Sequence, residues 1–346
     1  MPPTEDPAKP IVISAPEPRT LKLIFRPEAL EQLHDRYDIR ECPASDIARL
    51  DSDVLGAARY LIGQPALSED TTDRMSALRC IFNVEGNFTG NLPYESLFRR
   101  GIHVVTPNSV FALPVAELGL ALALDLLRGV SEADAAFRAG TETWGLESNR
   151  RARLLSGAEV GLIGFGNLGR TLFRLLEPFN VRARIHDPWL PPSVIAAAGA
   201  DPASLETVLA QSDVVFVVAG ITSENAGMIG QEAFASMREG SAFILLSRAE
   251  AVDFDALMDA VRSGRLSAAS DVFPAEPMPA DHPVRTLDGM IRSAHRAGAL
   301  EQAFFLMGDY LLEDMSLLDR GLPPLRCSRA ERETVSRLQS KMVSVN

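Results

Sequence analysis

A chain of 346 residues with a formal charge of −12 is long for one core and roomy for two domains. Its acidic balance argues against nucleic acid or an anionic membrane as a partner, since both reward clustered Lys and Arg. Cys42, Cys80 and Cys327 stand far apart, with no metal-type spacing, which favours a reducing cytoplasmic setting and no bound metal.

Residues 1–19 are proline-rich and lack an apolar signal-peptide run, so they are expected to form a disordered tail. Leu21 to Phe25 then predicts a strand, and Glu28 to Tyr37 a helix. Tyr60 to Ile62, Cys80 to Val84 and His103 to Thr106 predict three more strands, separated by helices around Asp70 to Ala77 and Tyr94 to Arg100. Such alternation means a parallel sheet with helices on its faces. Pro114 to Leu127 is the strongest apolar run. Broken by Glu117 and Asp125, it is too short for a bilayer. Its apolar residues cover nearly every helical face, so burial is expected on several sides, in the core or against the second subunit of a homodimer.

The most informative stretch follows. A short apolar run, Ala158 to Ile163, leads into Gly164-Phe165-Gly166-Asn167-Leu168-Gly169, and a helix-competent run, Arg170 to Phe179, leads out. A second run, Val181 to His186, delivers Asp187. In this layout the first Gly permits a tight turn and the second lets backbone approach a pyrophosphate. The third lets the helix lie close on the sheet, and the helix N-terminus faces the anion. Dinucleotide binding is the expectation.

Alternation then resumes. Asp213 to Ala219, Ser241 to Ser247, Leu266 to Val272 and Gly289 to Ser293 read as strands. Leu205 to Ala210, Glu232 to Met237 and Phe254 to Ser263 read as helices between them. Ligands of open α/β sheets bind beyond the carboxyl ends of the strands. Arg248, Glu276 and His295 follow three such ends. The guanidinium can grip a carboxylate with two parallel hydrogen bonds. The imidazole can exchange a proton near neutral pH, and the carboxylate can hold its other nitrogen. Beside a nicotinamide, this set interconverts a 2-hydroxy and a 2-oxo acid. His34, His103 and His282 lack acids or thiols at ligand spacing and read as surface or turn histidines.

From roughly Val84 to Gly298 the chain resembles the NAD-dependent D-2-hydroxyacid dehydrogenase family, which includes phosphoglycerate, glyoxylate and hydroxypyruvate reductases. The resemblance is carried by Val115-Ala116-Glu117, the Gly164–Gly169 turn, His186-Asp187-Pro188 and Ser212-Asp213-Val214-Val215. Met237-Arg238-Glu239-Gly240, Ser247-Arg248, Asp271 through Pro277, and His295 with Gly298 complete it. It implies an α/β protein of two doubly wound parallel-sheet domains. Residues 113–298 would form the Rossmann cofactor domain; 20–112 and 299–346 would form a discontinuous, flavodoxin-like substrate domain, with the cleft between the two. Arg248 would anchor the substrate carboxylate and carbonyl, His295 would be the acid/base, and Glu276 its partner. Gly164, Gly166, Asn167, Leu168, Gly169, Asp187, Ala219, Gly220, Thr222, Ser247 and Asp271 would line NAD, with Asp187 on the adenosine ribose and against a 2′-phosphate. Asp271 also reads as a turn-forming acid. The loop Glu85, Gly86, Asn87 would receive the carboxylate of a small 2-oxo or 2-hydroxy acid.

Several positions depart from the family pattern. Ala249 replaces a Gly after the arginine and Glu250 follows it. Ala294 replaces the Pro before His295, and Gly220 the Pro of a cofactor loop. Glu85 is an awkward neighbour for an anion unless it points away. Phe111 and Ala112 occupy the region of a usual Asn, and Phe88, Phe111 and Trp144 are candidates either for a pocket wall or for core. No Lys/Arg cluster beside the loop suggests a phosphate pocket, so phosphorylated substrates rank lower. A dinucleotide-sensing regulatory protein, like the C-terminal-binding corepressors, is the competing function. A formate dehydrogenase relative is disfavoured, because those pair the histidine with Gln where this chain has Glu276. The charged stretch from Arg329 to Met342 is expected to pack on the N-terminal block.

Overall fold

Short, fully buried runs of β-branched and aromatic residues build the sheets, as in Val214–Val217 and Ser241–Leu245, where every side chain is enclosed. A computed structural model describes residues 8–337. The strands in chain order are β1 (Ile11–Ala15), β2 (Asp38–Glu41), β3 (Ala58–Gly63), β4 (Cys80–Phe82) and β5 (His103–Thr106). They continue with β6 (Glu159–Ile163), β7 (Arg182–His186), β8 (Asp201–Pro202) and β9 (Val214–Val217). The last are β10 (Ser241–Leu245), β11 (Leu266–Ser270), β12 (Met290–Arg292) and β13 (Ser328–Arg329).

The chain divides into two units, Met1–Val110 with Leu300–Asn346, and Phe111–Ala299. In the first, the sheet order is β13-β5-β4-β3-β1-β2, parallel except for β13 against β5. Setting β13 aside, this is the doubly wound order of a flavodoxin-like sheet. In the second the order is β12-β11-β10-β9-β6-β7-β8, all parallel. Its strand order reverses between β6 and β9, the switch point where a Rossmann sheet takes its ligand.

Two expectations for the N-terminus fail. The proline-rich stretch expected as a tail over 1–19 contains β1, paired on both sides by β2 and β3. The surrounding prolines mask a β-branched run, Ile11-Val12-Ile13, that is buried from Val12 onward. Residues 1–7 of that stretch lie outside the described residues. Leu21 to Phe25 is a helical turn, Leu21–Ile24, rather than a strand. Thr20 caps it by accepting the Leu23 N–H, and Leu21 and Ile24 face inward together.

The apolar helix spans Ala112–Arg128 and lies against the helix Asn167–Leu176 and strands β10 and β11. Only one face is enclosed, through Ala116, Gly119, Ala123 and Leu127, while Leu113 on another face is 51% exposed. Extended back to Asn108, this segment has the length and composition of a membrane-crossing helix, longer than the run read from the sequence.

The helix Glu301–Asp319 had no counterpart among the predicted elements. It returns to the first unit, where Asp319 accepts the hydroxyls of Tyr37 and Tyr60 at 2.6 and 2.7 Å. The following Arg332–Val335 turn packs on the helix Tyr94–Arg99 through Arg332 and Glu95, 3.2 Å apart. The rest of the charged stretch, from residue 338, lies outside the described residues. Gly308 marks the tightest contact of the long helix: a Cβ there would stand 2.4 Å from the Ile24 carbonyl oxygen and 2.7 Å from the Phe25 ring. Gly308→Ala is therefore expected to cost about 1–3 kcal/mol of stability by overpacking. Equilibrium denaturation measures it, and an unchanged midpoint contradicts that packing.

Candidate active site

The glycine turn shows three different reasons for three glycines. Gly164 has φ +100°, and a Cβ there would lie 2.6 Å from the Ala219 Cα. Gly169 would press a Cβ to 2.4 Å from the Gly164 carbonyl oxygen, so its hydrogen lets the helix Asn167–Leu176 sit on the turn. Gly166 has nothing within 4 Å of its missing Cβ. The protein itself demands the first and third; the second keeps open the approach to a helix N-terminus whose N-cap residue, Gly166, has no side chain to cap it. That cradle, with the Leu168 and Gly169 N–H groups in the first turn, fits a pyrophosphate.

Asp187 follows β7 directly. Its carboxylate accepts the Phe165 N–H at 2.7 Å and the Trp189 N–H at 3.0 Å, so it braces the turn from below. Arg182 and Arg184 both pair with Glu159 at the start of β6, the end of that strand away from the turn. Neither is left to receive a 2′-phosphate, and a carboxylate beside the turn suits a ribose diol. Gly220 does not leave its loop loose. Asn225 donates from its side-chain amide to the Gly220 carbonyl at 2.7 Å and accepts the Thr222 N–H at 2.8 Å. A Thr-x-x-Asn spacing of turn-forming residues was the available signal for this clamp.

His295 and Glu276 lie at the carboxyl edge of β10, β11 and β12. Leu245 is in register with Ser270, and Ser270 with Arg292, so the segments leaving these strands emerge side by side. His295 Nδ1 and Glu276 Oε2 are 2.5 Å apart, and the other Glu276 oxygen accepts the Phe273 N–H at 2.9 Å. His295 has φ +47°, a left-handed conformation that a histidine adopts only when its surroundings impose it. Asp271 does so. Its carbonyl takes the His295 N–H at 2.7 Å, and its carboxylate takes those of Arg296 and Ala297 at 3.1 Å each. Expected among the cofactor contacts, Asp271 is instead 1% exposed and acts as the turn-forming acid of the histidine loop. Burial pushes its carboxyl above the ordinary value, against the pull of those N–H groups.

Arg248 enters at the end of β10 by register; its guanidinium donates to the Ser247 carbonyl at 2.8 Å and forms no ion pair among the described residues. Ser247 is buried with an unpartnered hydroxyl oxygen, a group that a bound polar ligand can satisfy. Ala249 is buried at the head of a short turn and Glu250 is exposed. Phe111 stacks on Gly298, 3.1 Å from where a Cβ would stand, and Phe88 packs on the first unit's core. Trp144 is neither core nor pocket wall: it is 76% exposed, edge-on to Phe137.

In the first unit the loop after β4 is built around Asn83. Its side chain accepts the Glu85 N–H and donates to the Asn87 carbonyl, both at 2.8 Å. The Glu85 N–H is thereby taken, a correction to its expected role, while those of Gly86 and Asn87 make no hydrogen bond among the described residues. Gly86 has φ +97°, which its position in the turn requires. Arg19, from the stretch expected to be disordered, bonds to the Val84 carbonyl and to the Glu85 carboxylate. No sequence signal marked it.

His282 accepts the Val284 N–H within its own turn, as a turn histidine does. Among the described residues no cluster of His, Cys, Asp and Glu is arranged to hold a metal. Replacing Asp187 by Ala removes the charged acceptor and is expected to weaken NADH binding by about tenfold or more while narrowing its advantage over NADPH. Fluorescence titration with both nucleotides measures this, and an unchanged ratio places the selection elsewhere.

Residues 120–297 match the family model described as D-isomer specific 2-hydroxyacid dehydrogenase, NAD binding domain. A solved structure of a phosphoglycerate oxidoreductase from Rhizobium etli is 61% identical, with a TM-score of 0.87, over 94% of this chain and 100% of that one. The glyoxylate reductase of Aeropyrum pernix is 27% identical over 308 residues, 86% of this chain and 91% of that protein. The D-3-phosphoglycerate dehydrogenase of Archaeoglobus fulgidus is 29% identical over 238 residues, and the match spans 67% of this chain but only 44% of that longer protein. With its glycine turn, the acid after β7 and its histidine–glutamate pair set on such a frame, the chain belongs to the D-isomer specific 2-hydroxyacid dehydrogenase family and carries that family's NAD-binding domain.

Proposed function

We propose that the protein is an NAD(H)-dependent reductase that interconverts small 2-oxo acids and D-2-hydroxy acids. The observation that carries this reading is the His295–Glu276 hydrogen bond at the carboxyl edge of the cofactor-binding sheet. Glu276 accepts the Nδ1 proton, which orients the ring and leaves Nε2 as the nitrogen that exchanges a proton with the substrate oxygen. Arg248 grips the substrate carboxylate and polarises its carbonyl. Within the first unit, the Gly86 and Asn87 N–H groups are donors for a carboxylate. NADH, when bound, supplies the hydride.

The expected outcome of an initial-rate assay is NADH oxidation with at least one member of a panel holding glyoxylate, hydroxypyruvate and bulkier 2-oxo acids. His295→Ala should then lower turnover by roughly two to four orders of magnitude, the usual share of general acid–base catalysis. Retained turnover removes His295 from the mechanism. Silence across the panel with tight NADH binding intact points to a dinucleotide sensor instead.

The free thiols Cys42, Cys80 and Cys327 support a reducing cytoplasmic setting. A homodimer is supported by apolar residues left uncovered beyond the helix Ala112–Arg128. The helix Val130–Ala139 has no buried residue, and Phe137, Trp144 and Leu146 are 62%, 76% and 86% exposed. Contiguous exposure of that kind calls for a covering surface, and a second copy offers a matching one. Sedimentation at micromolar concentration should give a dimer, and Trp144→Glu with Leu146→Glu should shift it toward monomer. A monomeric parent contradicts the assembly.

A further inference from the structure

The carboxylate-receiving loop contains a buried acid. The Glu85 side chain is 3% exposed, and the neighbouring Gly86 and Asn87 offer the N–H groups that would take an anion. A carboxylate enclosed that closely repels a second one, and the repulsion is strong where water is excluded. The chain places a cation on it. Arg19 Nη1 lies 2.9 Å from Glu85 Oε2, bonds also to the Val84 carbonyl, and its guanidinium stands 5.6 Å from the centre of the Phe304 ring. The Arg19 side chain is itself only 17% exposed, so the pair is screened little by solvent.

We propose that Arg19 is a positioning residue of the substrate loop: by neutralising Glu85 it turns an anion-repelling loop into one that accepts the carboxylate of a 2-oxo acid. The role of the Val84–Asn87 loop rests on the reductase reading above; the charge balance does not. Glu85 in turn holds Arg19 against the loop, so that its charge is compensated and its side chain is fixed beside the backbone donors. Removing the cation takes one positive charge away from that buried acid beside the anion site. Removing both charges restores neutrality without the pair.

The test is a four-member cycle of parent, Arg19→Met, Glu85→Gln and the double variant. KM and kcat are measured with glyoxylate and hydroxypyruvate, and the Kd of oxamate by calorimetry on the NADH-loaded protein. Arg19→Met should raise KM and the oxamate Kd by about tenfold with kcat within about threefold of the parent. Glu85→Gln should lower both, and the double variant should return both to within about threefold of the parent. The proposal is overturned if Arg19→Met leaves KM and Kd unchanged. It is equally overturned if the double variant is as weak as Arg19→Met while both keep parental NADH affinity and thermal midpoint. Should Arg19→Met fail to fold, Glu85→Gln decides alone, since an unchanged or raised Kd contradicts the charge argument. A parent that reduces no oxo acid, yet shows the oxamate cycle, loses the reductase reading and keeps this one. A parent that does not bind oxamate loses this one.

Discussion

The hydrogen bond between His295 and Glu276 depends on a backbone that would not form without help. A histidine at φ +47° pays a conformational penalty of about 1–3 kcal/mol, and three N–H groups converging on Asp271 hold it there. Asp271 leaves the end of β11, Glu276 lies on the segment that follows, and His295 leaves the neighbouring β12. Parallel register between those strands therefore sets the relative position of acid and imidazole. A slip of one residue would turn the side chains of β12 to the opposite face and break the arrangement.

Charge is managed in the same way at four acids of the two units: each has an assigned partner. Asp187 is bound to the Phe165 and Trp189 N–H groups, Asp271 to the histidine loop, Glu276 to His295 and Phe273, and Glu85 to Arg19. For an acidic protein, the nucleotide and the acidic substrate of the proposed function require this. Unpartnered carboxylates at those places would repel both ligands. Arg248 differs: among the described residues it bonds to the backbone of Ser247 alone, which leaves the rest of its guanidinium for a ligand.

The second unit was largely legible in the sequence because its signals are local. Val-Val-Phe-Val and Phe-Ile-Leu are continuous apolar strands, and the glycine turn, Asp187 and the strand-end trio follow at fixed offsets. The first unit was less legible because its supports are distant. Arg19 meets Glu85 across 66 positions of chain, and Asp319 meets Tyr37 across 282. No spacing rule reports such pairs. The strand Ile11–Ala15 was hidden by flanking prolines, and Leu21–Ile24 has an apolar pattern short enough to suit either a strand or one helical turn. Asp271 shows a subtler limit: its type and place were evident, yet only geometry distinguishes an acid that meets a cofactor from one that shapes the loop beside it.

A crystal structure of the complex with NADH and oxamate gives the decisive distance, from His295 Nε2 to the amide carbonyl oxygen of oxamate. Hydrogen-bond reach, about 2.6–3.2 Å, is the expected result, with Glu276 still on Nδ1. An imidazole turned away from the oxamate, with no ordered water between them, would contradict it.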